Sequence, residues 1–144
     1  MLVMKRFCGE EFYPVKSSEW YILESAAEDN PSLEVELEFF EGTNLSEDVA
    51  EFGQEPYWEL RFAVKDESVL QKGAVLTNEN EDEEDAMICY FEWEPTFHNV
   101  LEILDRNGDK LLLKITAECC DVNYYDGSKG NDQLEFTAWV DKRK

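Results

Sequence analysis

Apolar and acidic residues alternate without exception along residues 33–39, which read Leu-Glu-Val-Glu-Leu-Glu-Phe. Successive side chains of a β-strand point to opposite faces of a sheet, so this period of two puts the four apolar residues on one face and the three glutamates on the other. A helix would spread the same residues around its circumference. The segment therefore predicts a strand with one face in a core and the other face in water.

Further segments show the same alternation or are rich in apolar and aromatic residues. Strands are predicted at residues 20–23, 33–39, 58–65, 87–93, 100–104, 111–117 and 133–140, with residues 87–93 as a central strand. The pair Asn107-Gly108 separates two of these strands and favours a tight hairpin turn, because such turns need positive φ. Two short helices are predicted, at residues 46–52 and 68–72, each with a serine in the N-cap position.

The length of 144 residues fits one domain, and neither a repeat nor a linker interrupts the chain. Apolar residues make up 43% of the chain and aromatic residues 13%, which is enough for a core and argues against disorder. We predict a single domain, residues 1–144, with a mainly β fold: an antiparallel β sandwich or a strongly bent sheet with one or two short helices.

Acidic residues are concentrated in the middle of the chain. The formal net charge is −21, from 34 acidic and 13 basic residues. Residues 19–104 hold 24 of the acidic residues and only three of the basic ones, whereas both flanking parts are close to neutral. A protein adapted to high salt would be acidic throughout, and binding to nucleic acid or to an anionic membrane needs a basic face. The distribution favours a basic partner and argues against a nucleic-acid or membrane partner.

No targeting segment is recognisable in the sequence. The first residues lack the uninterrupted apolar stretch of a signal peptide, and no run is long enough to cross a bilayer. The four cysteines, Cys8, Cys89, Cys119 and Cys120, have no paired-motif spacing, so we expect reduced thiols and a cytoplasmic protein. Cys119 and Cys120 are adjacent in a predicted strand and should point to opposite faces.

Residues with catalytic or metal-binding chemistry do not form a recognisable set. The single histidine, His98, leaves no Ser-His-Asp or Cys-His arrangement and no zinc-ligand spacing, and we expect it to cap a turn after Pro95. Residues 105–109 depart from the calcium-loop template, and residues 126–132 lack the Gly-Lys-Ser/Thr ending of a phosphate loop. Carboxylate pairs are too abundant for their spacing to support a glycosidase. We therefore predict a protein without enzymatic activity, cofactor or metal.

Six of the seven residues in the segment 79–85 are carboxylates, and an apolar segment follows them. Like charges on both faces of a strand would repel its neighbours, so we predict a mobile connection at the rim of the sheet, with strand pairing starting near Ala86 or Met87. The face of the next strand that we expect in the core carries alternate residues, Met87, Cys89, Phe91 and Trp93. The simpler interpretation is that the acidic run is only solvated.

The candidate partner-binding residues are acidic residues of the middle segment and one tryptophan. They are Glu34, Glu36, Glu38, Glu79, Glu81, Asp82, Glu83, Glu84, Asp85, Glu92, Trp93 and Glu94. Self-repulsion at this net charge lowers stability, so its concentration in one region indicates a function there. A basic partner would be attracted over a long range, and Trp93, Trp58 or Tyr57 could anchor the contact. The alternative is that the charge only keeps sheet edges from aggregating.

Residues 93–99, Trp-Glu-Pro-Thr-Phe-His-Asn, precede the alternating residues 100–117 and the closing strand at 134–140. This order resembles an aromatic-Pro-Ser/Thr-Phe-His-Asp pattern, also followed by alternating strands, in one family of bacterial immunity proteins, which bind and neutralise polymorphic or contact-dependent toxins. Asn99 stands where that pattern has aspartate. The resemblance implies a binding role and leaves the contact residues open.

These observations together predict a non-enzymatic acidic protein that neutralises a basic protein partner, specifically an immunity protein that blocks a nuclease-type toxin. The alternative is an accessory β-sandwich domain of a larger assembly, which would interact through exposed sheet edges. The sequence does not distinguish a monomer from a dimer.

Overall fold

The computed structural model describes residues 1–24, 31–43, 45 and 54–144. These residues form eleven strands: β1 (Leu2–Arg6), β2 (Gly9–Tyr13), β3 (Val15–Leu23), β4 (Ser32–Phe39), β5 (Tyr57–Ala63), β6 (Val75–Asn78), β7 (Ala86–Cys89), β8 (Trp93–Pro95), β9 (Phe97–Asn107), β10 (Lys110–Cys119) and β11 (Asp132–Lys142). A single 3-10 turn, Glu67–Val69, lies between β5 and β6. Within the described ranges, no helix is long and apolar enough to span a membrane.

The fold is mainly β, as predicted, and its strands form one strongly curled sheet. The strand order is β6-β9-β10-β11-β3-β4-β5-β7-β8, with β1 paired to both β11 and β2. β11 links two halves of this sheet: it is antiparallel to β10 and β1, and its last residues, Asp141 and Lys142, lie parallel to β3. We call β1, β2, β6, β9, β10 and β11 half A, and β3, β4, β5, β7 and β8 half B.

The core lies between the inner faces of the two halves. All four apolar residues of the segment 33–39 are buried in it, as their alternation predicts. Phe39 of half B packs edge-to-face against Phe136 of half A, with ring centroids 5.9 Å apart. Trp20 and Trp58 are also fully buried. Because the apolar residues of half B point inward, the glutamates between them point to the outer face.

The predicted central strand at residues 87–93 is wrong in its extent and in its orientation. The segment forms two short strands, β7 and β8, which lie at one end of the strand order instead of its middle. The start of pairing at Ala86 is confirmed. The face that we expected in the core is not the buried one: Met87 and Cys89 are only partly buried, Phe91 is partly buried and packs against the core, and Trp93 is exposed.

The pairing of β7 with β5 explains this reversal. Ala86 lies opposite Leu60 and Ile88 lies opposite Trp58, and all four of these side chains are buried. Directly opposite residues of an antiparallel pair share a face, so this register sends Ala86 and Ile88 into the core and Met87 outward. A register shift of one residue would have produced the predicted orientation.

The helix predictions have two different outcomes. At residues 68–72 the structure has only the 3-10 turn, so the predicted helix is wrong. Its N-cap is Asp66 and not a serine, because Asp66 Oδ1 accepts a hydrogen bond from the Ser68 N–H at 2.8 Å. The helix predicted at residues 46–52 lies outside the described residues.

The predicted hairpin of β9 and β10 is confirmed, with a shift of one residue in its turn. Asn107 pairs with Lys110, so the two loop residues are Gly108 and Asp109, and Gly108 has a φ of 63°. Strands β1, β2 and β6 were not predicted, because their segments are short and their alternation is weak.

The chain passes from half B to half A at Thr96, between β8 and β9. Thr96 is buried, and its Oγ1 donates to Asn99 Oδ1 at 2.7 Å and accepts from Trp58 Nε1 at 3.2 Å. His98 lies within β9 with a φ of 52°, at a β-bulge against β10. The prediction that His98 caps a turn is therefore wrong. The segment 93–99 forms the corner between the two halves.

Candidate functional site

The outer face of half B carries a row of directly neighbouring carboxylates. In the cross-strand register, Glu36 of β4 lies opposite Glu19 of β3 on one side and opposite Glu59 of β5 on the other. Glu34 and Glu38 extend the negative surface along β4. Like charges in directly opposite positions destabilise a sheet unless cations lie beside them. We call the outer surface of β3, β4, β5, β7 and β8 the acidic face.

Two arginines neutralise part of the acidic face. Arg61 Nε donates to Glu34 Oε1 at 2.7 Å, and the Glu34 residue is only 7% exposed. Arg143, which follows β11, donates from Nε to Glu19 Oε2 at 2.6 Å, and its guanidinium also contacts Glu36. Glu34 is therefore largely covered, whereas the Arg143 ion pairs lie at the surface.

The remaining carboxylates of the acidic face surround open space. Among the residues that the structure describes, Glu38 and Glu59 have no cationic partner. A pocket of about 150 Å³ lies beside Glu59. Its polar lining residues are Tyr21, Glu34, Glu36, Glu59, Arg61, Glu84 and Asp85. Since carboxylates predominate in this lining, the pocket attracts cations.

An aromatic pair borders the acidic face next to these carboxylates. The Trp93 residue is 47% exposed and packs edge-to-face on Tyr57, with ring centroids 5.8 Å apart. The Tyr57 hydroxyl donates to Glu36 Oε1 at 3.1 Å. Burial, together with the charges of nearby glutamates, raises the pKa of Tyr57 to about 12, so the hydroxyl remains a donor at neutral pH. Trp58 is fully buried and cannot anchor a partner, contrary to expectation.

The acidic segment 79–85 connects β6 to β7 at the rim and does not continue a strand, as predicted. Asn80 fixes it to the protein: the buried Asn80 Nδ2 donates to Ala86 O at 2.8 Å and to Thr96 O at 2.9 Å, and Oδ1 accepts from Asp85 N–H at 2.9 Å. Asn80 has a φ of 62°, a conformation that asparagine tolerates better than most residues. Five carboxylates of the segment are exposed and Asp85 is partly buried, and the mobility of the segment remains a prediction.

The predicted partner-binding residues do not all lie on one surface. Glu34, Glu36, Glu38 and Trp93 lie on the acidic face, Glu84 and Asp85 reach its pocket, and Glu81, Asp82 and Glu83 are exposed in the rim segment. Glu79, Glu92 and Glu94 lie elsewhere. Glu79 contacts His98 Nδ1 on half A, where His98 Nε2 is 3.3 Å from Glu118 Oε1.

Glu92 and Glu94 lie at the free edge of β8. The Glu92 N–H donates to the Tyr125 hydroxyl at 3.3 Å. Glu94 alternates with Trp93 along β8 and so points to the opposite side. Burial raises the pKa of Glu94, and the charges of Glu92 and Glu83 raise it further. The Glu94 carboxylate therefore does not extend the acidic face around Trp93.

Sequence reasoning missed Glu19, Glu59 and Arg143. Glu59 had a signal, because it alternates with apolar residues within the predicted strand 58–65. Glu19 directly precedes a predicted strand, and the structure shows that β3 begins earlier. Arg143 had no signal, because only the parallel pairing of β11 with β3 brings it to the acidic face.

A second polar cluster is enclosed in the protein. Arg6 donates to both oxygens of Asp121 at 2.9 Å and to Glu11 Oε2 at 2.9 Å, and all three side chains are buried. Asp132 is also buried beside Asp121, and burial followed by the neighbouring Asp121 raises the pKa of Asp132 to about 9. The Tyr13 hydroxyl donates to Glu11 Oε1 at 2.6 Å. Since these groups have no exposed surface, a structural role accounts for them.

Thiol and metal chemistry add no further site. None of the four cysteines forms a disulfide; Cys119 is buried, and Cys120 is partly exposed with its Sγ donating to Tyr124 O at 3.3 Å. In the described part of the chain, no group of three or more His, Cys, Asp or Glu side chains is arranged to hold a metal ion.

Comparisons with protein-family models, with curated proteins and with solved structures find no match to this chain.

Proposed function

We propose that this protein binds a basic protein partner through the acidic face, without catalysis or a cofactor. The observation that carries this proposal is the row of Glu19, Glu36 and Glu59 in directly opposite positions on three neighbouring strands. Repulsion within such a row is relieved when cations approach it, and the protein's own Arg143 does this only for Glu19 and Glu36. The specific form of the proposal is a bacterial, cytoplasmic immunity protein that blocks the nucleic-acid-binding surface of a nuclease-type toxin.

The aromatic pair supports a protein partner over a small cation. Exposed tryptophan and tyrosine side chains supply much of the binding energy in protein interfaces. Trp93 and Tyr57 lie beside the carboxylates, so one partner surface could contact both apolar and acidic groups. Electrostatic attraction would then set the rate of association, and Trp93 would slow dissociation.

The alternative, an assembly domain that pairs through sheet edges, has less support. The edge strands β6, β8 and β2 have four, three and five residues. β8 includes Pro95, which has no N–H to donate to another strand. Short edges with proline are a common protection against edge pairing.

The test is a titration against the purified toxin domain encoded beside the gene, at low and at high salt. We expect the double variant Glu38→Lys/Glu59→Lys to lower affinity by more than about tenfold, mainly through slower association, and Trp93→Ala to accelerate dissociation. The matched control is Glu102→Lys/Glu135→Lys, which makes the same change in net charge on the outer face of half A, in β9 and β11.

The control double variant should retain at least most of the wild-type affinity. Equal losses in the two double variants would show that net charge matters and the acidic face does not. Tight binding that is insensitive to salt, or the absence of any binding to the encoded toxin domain, would contradict the proposal.

A further inference from the structure

We infer that Tyr21, Glu19 and Glu36 form a guanidinium site, which the protein's own Arg143 occupies in the free state and yields to an arginine of the basic partner. The role of the partner in this inference rests on the proposed function. The inference adds a preference for arginine over lysine and an intramolecular competitor at the same surface.

The contacts of Arg143 define the site. Its guanidinium carbon lies 4.0 Å from the centroid of the Tyr21 ring, which is the distance of a stacked cation–π contact. Its Nε donates to Glu19 Oε2 at 2.6 Å, and the group also contacts Glu36. The Tyr57 hydroxyl holds Glu36 from the other side at 3.1 Å. An aromatic plane and two carboxylates thus surround one planar cation.

This arrangement distinguishes arginine from lysine. A guanidinium is planar, stacks on an aromatic ring and donates hydrogen bonds in several directions within its plane, whereas an ammonium is a compact and strongly hydrated charge. The adjacent residue Lys142 provides a contrast. Lys142 lies on the other side of the strand, where its Nζ pairs with Glu67 at 2.6 Å and lies 5.4 Å from the Trp20 ring centroid.

Arg143 can leave the site without disrupting the sheet. Its side chain is 39% exposed, so its ion pairs are screened by water and salt. Its backbone is held separately, because the Arg143 N–H donates to Trp20 O at 2.8 Å. The pocket that Glu36 shares with Glu59 lies beside the site and gives an incoming side chain a path to it.

The experiment measures binding of two synthetic peptides of equal length and charge, an arginine–serine repeat and a lysine–serine repeat. The proteins are the wild type, Arg143→Gln and the matched control Lys142→Gln, which makes the same change in net charge one residue away. We expect Arg143→Gln to raise affinity for the arginine peptide about tenfold, since it vacates one exposed cation–π contact and two surface ion pairs. The lysine peptide should gain much less, and Lys142→Gln should change both peptides slightly and equally.

Two further variants separate the contribution of the Tyr21 ring to binding from that of the carboxylates. In the Arg143→Gln background, Tyr21→Leu should remove the preference for the arginine peptide, and Tyr21→Phe should retain it. Urea denaturation of each variant checks that the fold is intact. Equal gains for the two peptides, or equal effects of Arg143→Gln and Lys142→Gln, would overturn the inference.

The result also separates this inference from the proposed function. A preference for the arginine peptide without binding to the toxin domain would retain the guanidinium site and reject the proposed function. Binding to the toxin domain with no difference between the peptides would do the reverse.

Discussion

Replacing Asp132 with asparagine should remove a large part of the pH dependence of folding. Asp132 is fully buried, its Oδ2 accepts from the Val122 N–H at 3.2 Å, and its Oδ1 has no hydrogen-bond donor among the described residues. The neighbouring Asp121 is a carboxylate held by Arg6. Protonated Asp132 can therefore donate a hydrogen bond to the carboxylate of Asp121. Burial and the neighbouring Asp121 raise the pKa of Asp132 to about 9 from its ordinary value of 3.8.

The change in the free energy of unfolding with pH follows from the linkage between protonation and folding. Above an ordinary aspartate pKa the unfolded chain has lost this proton while the folded protein retains it, so the free energy of unfolding falls as the pH rises. The fall continues until the folded pKa is reached and amounts to about 1.4 kcal/mol per pH unit. From about pH 5 to about pH 8 the wild type should lose about 4 kcal/mol from this group.

The neighbouring carboxylate, Asp121, does not contribute to the change between about pH 5 and about pH 8. Burial raises the pKa of Asp121, but its hydrogen bonds with Arg6 and Asp132 together outweigh burial and leave the pKa below its ordinary value. A lowered pKa stabilises the fold above the ordinary value, and that stabilisation is lost only as the pH falls below it. Asp121 therefore does not account for a change in stability between about pH 5 and about pH 8.

The assay is urea denaturation followed by tryptophan fluorescence, with reductant and constant ionic strength, at several pH values across this range. In Asp132→Asn the amide can donate to Asp121 and accept from the Val122 N–H, so its free energy of unfolding should change little with pH apart from groups common to both proteins. The matched control is Asp82→Asn, an exposed residue of the rim segment, which should keep the wild-type slope. Parallel curves for the wild type and Asp132→Asn, with a difference below about 1 kcal/mol, would refute the reasoning.

Three further predictions concern the rim segment and the thiols. Replacing the six carboxylates of residues 79–85 with serine or asparagine, with Asn80 retained, should leave the melting temperature unchanged or raise it while slowing association with a basic partner; a large loss of stability in thermal denaturation would contradict this. Asn80→Ala should destabilise the fold by about 1–2 kcal/mol in urea denaturation, because three hydrogen bonds are lost and the Asp85 N–H is left without an acceptor, while Ala86 O and Thr96 O keep the Thr96 N–H and Asn99 Nδ2 as donors; an unchanged midpoint would mean that water replaces the amide. Alkylation of the native protein followed by mass analysis without reductant should find Cys8 modified first and Cys119 last, because burial raises the pKa of Cys119, and all four thiols after denaturation; an intramolecular disulfide would contradict the expected reduced state.

Strict alternation determined the local structure of the protein wherever it extends over several residues. In residues 33–39 every inward side chain is apolar and every outward one is acidic, so only one orientation buries the apolar set. The same argument placed Glu36 and Glu38 on an outer face. The acidic run 79–85 was also readable, because repulsion between its carboxylates excludes strand pairing at any register.

Tertiary structure decided the features that depend on residues distant in sequence. The segment 87–93 is apolar on both faces, so its own pattern did not select an orientation, and the register with β5 selected Ala86 and Ile88 for the core. The acidic row forms because β3, β4 and β5 align Glu19, Glu36 and Glu59, which no single strand encodes.

The two arginine-containing clusters also depend on residues that are distant in sequence. Arg6 and Asp121 are 115 residues apart along the chain, and Arg143 and Glu19 are 124 apart. A periodic pattern reports which side of its own strand a residue takes, and it carries no information about the strand that will lie beside it. The charge of the acidic face was therefore evident from the sequence. The strands that lie side by side in this face, the pocket beside Glu59 and the position of Arg143 were set by the curl of the sheet.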